Sequence, residues 1–344
     1  MILVLSPPDD EQGPEPVLEW LRAYGASFLR ISSADLVDMP RSWVIDATRG
    51  DILINGISLR EQVHVVWYRR FFDFFGDALT AAPAAAGAQH TADSSHLAQL
   101  LFDVLRNKLW LPNYPALHQA HNKLATLQLA QRSGLLTPNA QVLSTKADLR
   151  VFLAANNDQL VTKAAETNDL FPEPSIETAA LPAQISAAEL EELPDQFLPT
   201  LVHARLEAAY ELRVFYLDGS CYATAILNEP LSDGDASVAS LSELYGAPPT
   251  QVVPYQLSTT IAMRIRNFMR AARLRTGSLD LLRTPTGEYA FLDVNPVGQY
   301  LSPSHQCHYR LEQRIAQWLI ANDHPPVARA KGPTTVHAPR SFFR

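Results

Sequence analysis

Two acids and an amide stand out by type and spacing: Asp280 in SLDLL, then Asp293 and Asn295 in FLDVNPVGQY. Asp293 and Asn295 lie two apart, so they share one face of a strand that must end at Pro296 and Gly298. RTPTGEY joins the two apolar segments and makes them the arms of a hairpin. Antiparallel pairing brings same-face residues to about 5 Å, so two carboxylates and an amide oxygen converge. Such hard oxygen donors suit Mg²⁺, which takes one or two carboxylates and leaves its other positions to water and phosphate. A metal held in this way arrives together with a nucleotide. The alternative is that the acids are ordinary strand-end residues and that Asn295 caps an Asx turn before proline. Acids inside apolar strands are costly unless paired or coordinated, and on these residues alone both readings stay open.

A nucleotide also needs cations. Lys123 opens a helix in NKLATLQLAQRSG and Lys163 ends a strand in DQLVTKAA, each where a flexible ammonium can reach phosphate oxygens. Taken singly, each is more commonly a solvated surface lysine. Glu211 and Arg213 in YELRVF alternate onto one strand face. They set an acceptor for ribose hydroxyls beside a fork for phosphate oxygens, or they form a surface ion pair of little energetic worth. VWYRR ends a strand with Arg69 and Arg70, of which one can face a cleft, to hold an acidic peptide side chain or a structural ion pair. GxxxxGK[ST] and GxGxxG are both absent, which argues against a P-loop or a Rossmann dinucleotide site. Cys221 and Cys307 make neither a CxxC pair nor a disulfide framework, and HQCH (305–308) lacks a distant fourth ligand for zinc.

The elements that position these residues read as follows. MILVLS is a buried strand, PEPVLEWLRAYG a helix, and SFLRI, SWVID and DILING complete a small α/β unit with the strand VHVVWYRR. SSHLAQLLFDVLRNK is a helix with Leu97, Leu100, Leu101, Val104 and Leu105 on one face, closing the first domain or supporting a dimer contact. One helix runs through Ala120, Leu124, Leu127 and Ala130 to a stop at Gly134. A loop and short helix fill 166–198, and a hairpin turns at LDGS. An amphipathic helix puts Ile261, Ile265, Phe268 and Ala272 inward, and a closing helix uses Leu311, Ile315, Trp318 and Leu319.

A chain of 344 residues is long for one core and predicts two or three units. Its net charge of −8, with no Lys/Arg run beyond a thin basic tail, speaks against duplex nucleic acid and anionic membranes. There is no secretory signal pattern and no apolar run of roughly 18 residues, so a cytoplasmic protein is expected.

In this order, helix-opening Lys123, strand-ending Lys163, a hinge TLVHARLEAAYE, then Asp280 and DVNP, the chain resembles the ATP-grasp ligases from about 110 to 322. VWYRR, NKLATLQLAQRSGLLTPN, YELRVFYLDG and FLDVNPVGQY with CHYRLEQRIA resemble, more narrowly, the graspetide synthetases. These are microviridin-type peptide maturases, and the similarity is greatest to the branch encoded beside a SPASM radical enzyme. The resemblance implies a multi-domain α/β (α+β) fold. It comprises an amino-terminal α/β domain (1–115), a central lid (116–198), a carboxy-terminal ATP-grasp domain (199–323) and a flexible tail (324–344). It implies ATP and Mg²⁺ as cofactors and a ribosomal leader-core precursor peptide as partner, with a homodimer or higher homo-oligomer. The implied reaction phosphorylates an Asp or Glu side chain of the peptide, and a Ser/Thr hydroxyl or Lys amine then closes a macrocyclic ester or amide. By the same resemblance Lys123 and Lys163 hold phosphate and nucleotide, and Val202, His203 and Glu207 belong to the hinge against the nucleotide. Glu211 accepts the ribose, Arg213 meets the γ-phosphate or acyl phosphate, Asp280, Asp293 and Asn295 hold Mg²⁺, and Arg69 and Arg70 face the peptide. The hinge departs from relatives in carrying His203 and Ala204 where Gln-Glu is usual, and the stretch after Lys163 is poor in glycine. Two other functions fit the same residues: a glutathione-synthetase-like or glutamate-ligating enzyme, and a nucleotide-binding regulatory module without turnover.

Overall fold

The computed structural model describes residues 1–7, 13–32, 34–38, 42–71, 87–157, 159–162, 184–227 and 251–325. Lys163, most of the expected 166–198 loop and the tail beyond 325 lie outside them. Four sheets organise the described residues, and none of their helices is long and apolar enough to cross a membrane.

The amino-terminal unit contains β1 (Ile2–Ser6), β2 (Phe28–Ser32), β3 (Trp43–Asp46), β4 (Asp51–Ile54), β5 (Ile57–Ser58), β6 (Val65–Tyr68) and β7 (Leu109–Leu111). β1 is apolar along nearly its whole length because it is covered on both sides of a parallel sheet ordered β2-β1-β6-β7. Leu3 and Leu5 pack with Leu97, Leu101 and Leu105 of the Gly87–Leu105 helix, so that helix closes this unit. Ile2 and Val4 meet Val17, Leu18 and Leu21 of the Glu15–Ala23 helix and Leu311, Ile315 and Leu319 of the Leu311–Ala321 helix. SWVID and DILING do not join this sheet; β3, β4 and β5 pair antiparallel as a separate small one.

A second sheet, ordered β10-β9-β11-β8, contains β8 (Ala140–Thr145), β9 (Leu160–Thr162), β10 (Gln184–Ile185) and β11 (Gln196–Ala204). The helices Lys146–Ala155 and Ala187–Glu192 cover it, with Leu149, Phe152, Leu153 and Leu190 buried against Leu143, Leu160 and Val202. β11 stays in this sheet as far as Ala204, so the chain passes to the next sheet at 205–209 rather than at 198.

The third unit is an antiparallel sheet ordered β14-β13-β12-β15-β16. Its strands are β12 (Tyr210–Leu217), β13 (Ser220–Leu227), β14 (Gln251–Tyr255), β15 (Thr276–Arg283) and β16 (Tyr289–Asn295). Asp218 and Gly219, both at positive φ (39° and 102°), make the expected tight turn between β12 and β13. One sheet face carries Leu212, Val214, Leu279, Leu281, Phe291 and Val294, buried under Ile261, Ile265, Phe268 and Met269 of the Thr259–Ala271 helix. Leu127 and Ala130 join them from the Lys123–Arg132 helix. The single helix expected through Ala120 and Ala130 is two, Tyr114–His121 and Lys123–Arg132. Asn122 leaves helical geometry (ψ 95°) between them and caps the second by accepting from the Ala125 N–H at 3.0 Å. Restarting the helix turns Leu124 outward, where it is 39% exposed.

Candidate active site

The opposite face of the five-stranded sheet carries the charged residues. Cross-strand partners run Thr224 to Arg213 to Asp280 to Asp293, so three ionisable side chains lie in one row across β12, β15 and β16. Alternation along β16 would by itself put Phe291 and Asp293 on the same face. A bulge prevents this: the register moves between Asp280 and Leu281, with Leu281 opposite Phe291 and Asp280 opposite Asp293, so Leu292 is the extra residue. Phe291 is thereby fully buried on the core face while Asp293 stands beside Asp280, the re-aiming that bulges provide.

Two carboxylates directly opposite each other repel, and a cation flanks each. Lys123 Nζ donates to both Asp293 oxygens, at 2.5 and 2.7 Å. Arg213 Nε donates to Asp280 Oδ1 at 3.2 Å, and its Nη1 to Gln299 Oε1 at 3.2 Å. Lys123 is the first residue of its helix, where the macrodipole disfavours a positive charge, so the ion pair to Asp293 offsets an unfavourable placement. The formal charges of Arg213, Asp280, Asp293 and Lys123 cancel. A polyanion entering the row must bring its own cation, and the converging carboxylate oxygens are the hard donors such a cation prefers. The donor set therefore fits Mg²⁺.

Asn295 is exposed, and its Oδ1 accepts from the N–H groups of Val297 (3.1 Å) and Gly298 (3.2 Å). The turn-capping reading holds for this residue, and any metal role for it must share an oxygen already used by the turn. Glu211 lies half-buried on the same face of β12 as Arg213. Val202 is 0% exposed in the core of the second sheet, so its side chain is withheld from any ligand. His203 is half-buried, with Nδ1 3.2 Å from its neighbour's carbonyl at Ala204, and Glu207 is exposed in the passage between the sheets.

The two arginines of VWYRR part company. Arg69 is 2% exposed; its Nη1 donates to the carbonyls of Gly298 and, at 3.3 Å, Val297, and its guanidinium lies 5.1 Å over the Tyr300 ring. Arg70 has φ 51° and is exposed. Cys221 is removed from this chemistry: burial pushes its thiol up to about 11, with Arg266 opposing. Sequence reasoning missed Gln299 and Ser278. Ser278 Oγ accepts from the Gln299 N–H at 2.8 Å and donates to the Gln299 carbonyl at 3.1 Å. The only signal for them was a serine two residues before Asp280 and a glutamine directly after Gly298.

No protein-family model matches the chain, and no curated protein does. Solved structures do. The macrocyclase MdnC bound with precursor peptide MdnA, from Microcystis aeruginosa MRC, superposes with a TM-score of 0.73 at 22% identity, covering 93% of this chain and 99% of that one. A Chryseobacterium gregarium RiPP-associated ATP-grasp ligase, in complex with ADP and a leader and core peptide, gives 0.73 at 18% identity, covering 93% and 96%. The ATP-grasp ligase PsnB, complexed with precursor peptide PsnA2 and AMPPNP, gives 0.70 at 16% identity, covering 94% and 97%. The multi-domain α/β fold of this chain is accordingly the one these structures share.

Proposed function

We propose that this chain is an ATP-dependent peptide macrocyclase. It would activate Asp or Glu side chains of a ribosomal leader-core precursor peptide and close them onto Ser, Thr or Lys side chains. The observation that carries the reading is the charge-balanced row of Lys123, Asp293, Asp280 and Arg213 on one face of the five-stranded sheet. The likeness extends over nearly the whole length of structures that hold a precursor peptide.

In this reading Asp280 and Asp293 would hold Mg²⁺, with Asn295 sharing its turn-capping oxygen, and the ion would draw off charge from the phosphate oxygens. A carboxylate oxygen of the peptide attacks the γ-phosphorus of ATP, and the bond to the β,γ-bridging oxygen breaks to release ADP. The peptide hydroxyl or amine then attacks the acyl carbon, loses its proton and expels phosphate, so each ring closure removes one water from the peptide. Arg213, fixed beside Asp280, meets negative charge as it develops on the transferred phosphoryl group. Lys123 and Lys163 neutralise phosphate, and Glu211 accepts the ribose hydroxyls. Of the hinge residues, His203 and Glu207 line the nucleotide, while Val202, buried and paired on both sides within its sheet, supports them from beneath. Arg70 is the peptide-facing arginine of its pair, and Arg69, also expected to face the peptide, is instead buried against Val297, Gly298 and Tyr300. A homodimer or higher homo-oligomer, and co-encoding with a SPASM radical enzyme, belong to the same proposal.

The test uses a short peptide rich in Thr/Ser and Asp/Glu encoded beside this gene, incubated with the protein, ATP and Mg²⁺ and followed by mass spectrometry. Successive losses of water with matching ADP release are expected. ADP formed only in the presence of a free amino acid would replace this reading with an amino-acid ligase, and nucleotide binding with no ADP under either condition would replace it with a regulatory module.

A further inference from the structure

The segment Pro296–Tyr300 is held from several sides. Asn295 Oδ1 takes the Val297 and Gly298 N–H groups, and Arg69, from the amino-terminal unit, donates to the carbonyls of the same two residues. Ser278 Oγ both accepts from and donates to the Gln299 backbone. Tyr300, 1% exposed, donates its hydroxyl to the Gly13 carbonyl at 2.9 Å and carries the Arg69 guanidinium on its ring. Gly298 sits at φ 78°, and a Cβ there would stand 3.0 Å from the Phe215 ring, so only glycine lets the segment lie this close to β12. Besides the Tyr300 ring and hydroxyl, the Gln299 side chain reaches out of the segment, its Oε1 accepting from Arg213 Nη1 at 3.2 Å.

We infer that Gln299 is a positioning residue for Arg213, and that the segment carrying it is built, with Arg69 as its interior support, to hold that guanidinium in one place. The inference rests on the proposed nucleotide reading, in which Arg213 meets the γ-phosphate. A flexible arginine must lose rotamer freedom each time it meets its anion, whereas one already held has lost that freedom in folding. Asp280 grips Nε and Gln299 grips Nη1, so the plane of the guanidinium is set at two of its nitrogens. A neutral amide at the second point fixes the plane without adding a second negative charge to compete with phosphate. A carboxylate there would form a bidentate-strength pair and discharge the cation.

Calorimetric titration of the full chain with Mg²⁺ and either AMPPNP or ADP separates this role from a structural one. Wild type should bind AMPPNP more tightly than ADP, and Arg213→Met should weaken AMPPNP by about 10-fold or more while sparing ADP. Gln299→Met keeps bulk but loses the acceptor. It should weaken AMPPNP by about fivefold, leave ADP unchanged, and have no further effect in the Arg213→Met background. Ser278→Ala, which loosens only the backbone grip, should show the same selective loss at about twofold, and it carries the test if Gln299→Met does not fold. Equal loss for both nucleotides, or an undiminished Gln299→Met effect in the Arg213→Met background, overturns the inference, as does a wild type that does not distinguish AMPPNP from ADP. A wild type that binds neither nucleotide overturns the nucleotide reading itself, and this inference with it.

Discussion

The five-stranded sheet and the sheet ordered β10-β9-β11-β8 are joined at 205–209, and they differ in what they carry. On the five-stranded sheet the chemistry is in side chains, each held by another: Lys123 on Asp293, Arg213 on Asp280 and Gln299. The four-stranded sheet turns Val202 into its own core and leaves His203 against a neighbouring carbonyl. Its buried cluster, Leu143 through Val202, is its own, and only Ala140 and Leu201 at its edge pack against the core of the five-stranded sheet. The contrast separates two duties. A row of mutually paired charges needs a rigid platform, because removing one member strands another. A sheet with its own core can supply backbone and shape, and can shift without disturbing that row.

The largest effect is expected where the row is broken. Asp293→Asn should lower affinity for Mg²⁺ with AMPPNP by at least about 100-fold, read by calorimetry. It should also cost about 3 kcal/mol of stability, since Lys123 is left largely buried without its carboxylate. Adding Lys123→Met should restore most of the lost melting temperature and none of the binding; wild-type binding by Asp293→Asn would end the platform's claim to the metal. A smaller, displaced effect is expected from Phe152→Ala, which opens a cavity in the separate core at a cost of about 3–5 kcal/mol. Hydrogen exchange should then speed up in β8, β9 and β11 while β12, β15 and β16 keep their protection. Loss of protection in both sheets together would make them one cooperative unit. His203→Gln, which exchanges one hydrogen-bonding side chain for another, should change ATP affinity by less than about threefold, because in the proposed reading the second sheet offers shape more than side chain. A loss beyond tenfold would move His203 among the site's essential side chains.

Much of this was legible in local pattern. Asp280 and Asp293 fell opposite each other because their strands are joined by a short turn, and Asp218-Gly219 announced its hairpin. The bulge at Leu292 was not legible: FLDVN reads as the same apolar and polar letters whether or not one residue is extra, and only pairing with β15 reveals which face Phe291 takes. The break at Asn122 was hidden for a related reason, since Ala120, Leu127 and Ala130 satisfy one helical period although the capping amide restarts the helix between them. Alternation said that Arg69 and Arg70 diverge, but the choice between them was made by Val297, Gly298 and Tyr300, more than two hundred residues away. Lys163 falls outside the described residues, so its expected reach to phosphate remains a proposal.

The smallest effect concerns the back of the platform. Cys221 stands opposite Tyr216 on β13 and packs against the apolar cluster of the core face. Burial raises its thiol to about 11 although Arg266 pulls the other way. A raised pKa means less thiolate, the reactive form, at any given pH, so alkylation should be slow at pH 8 and quicken about tenfold per pH unit towards 11. Iodoacetamide labelling with peptide mapping separates this residue from Cys307, whose thiol burial also raises. Binding Mg²⁺ and AMPPNP on the opposite face should leave the Cys221 rate unchanged, because the sheet between them is what the row of charges requires to stay still. A free-thiol rate at pH 8, or one that nucleotide alters several-fold, would show the platform flexing through its thickness, and the division of duties between the two sheets would have to be redrawn.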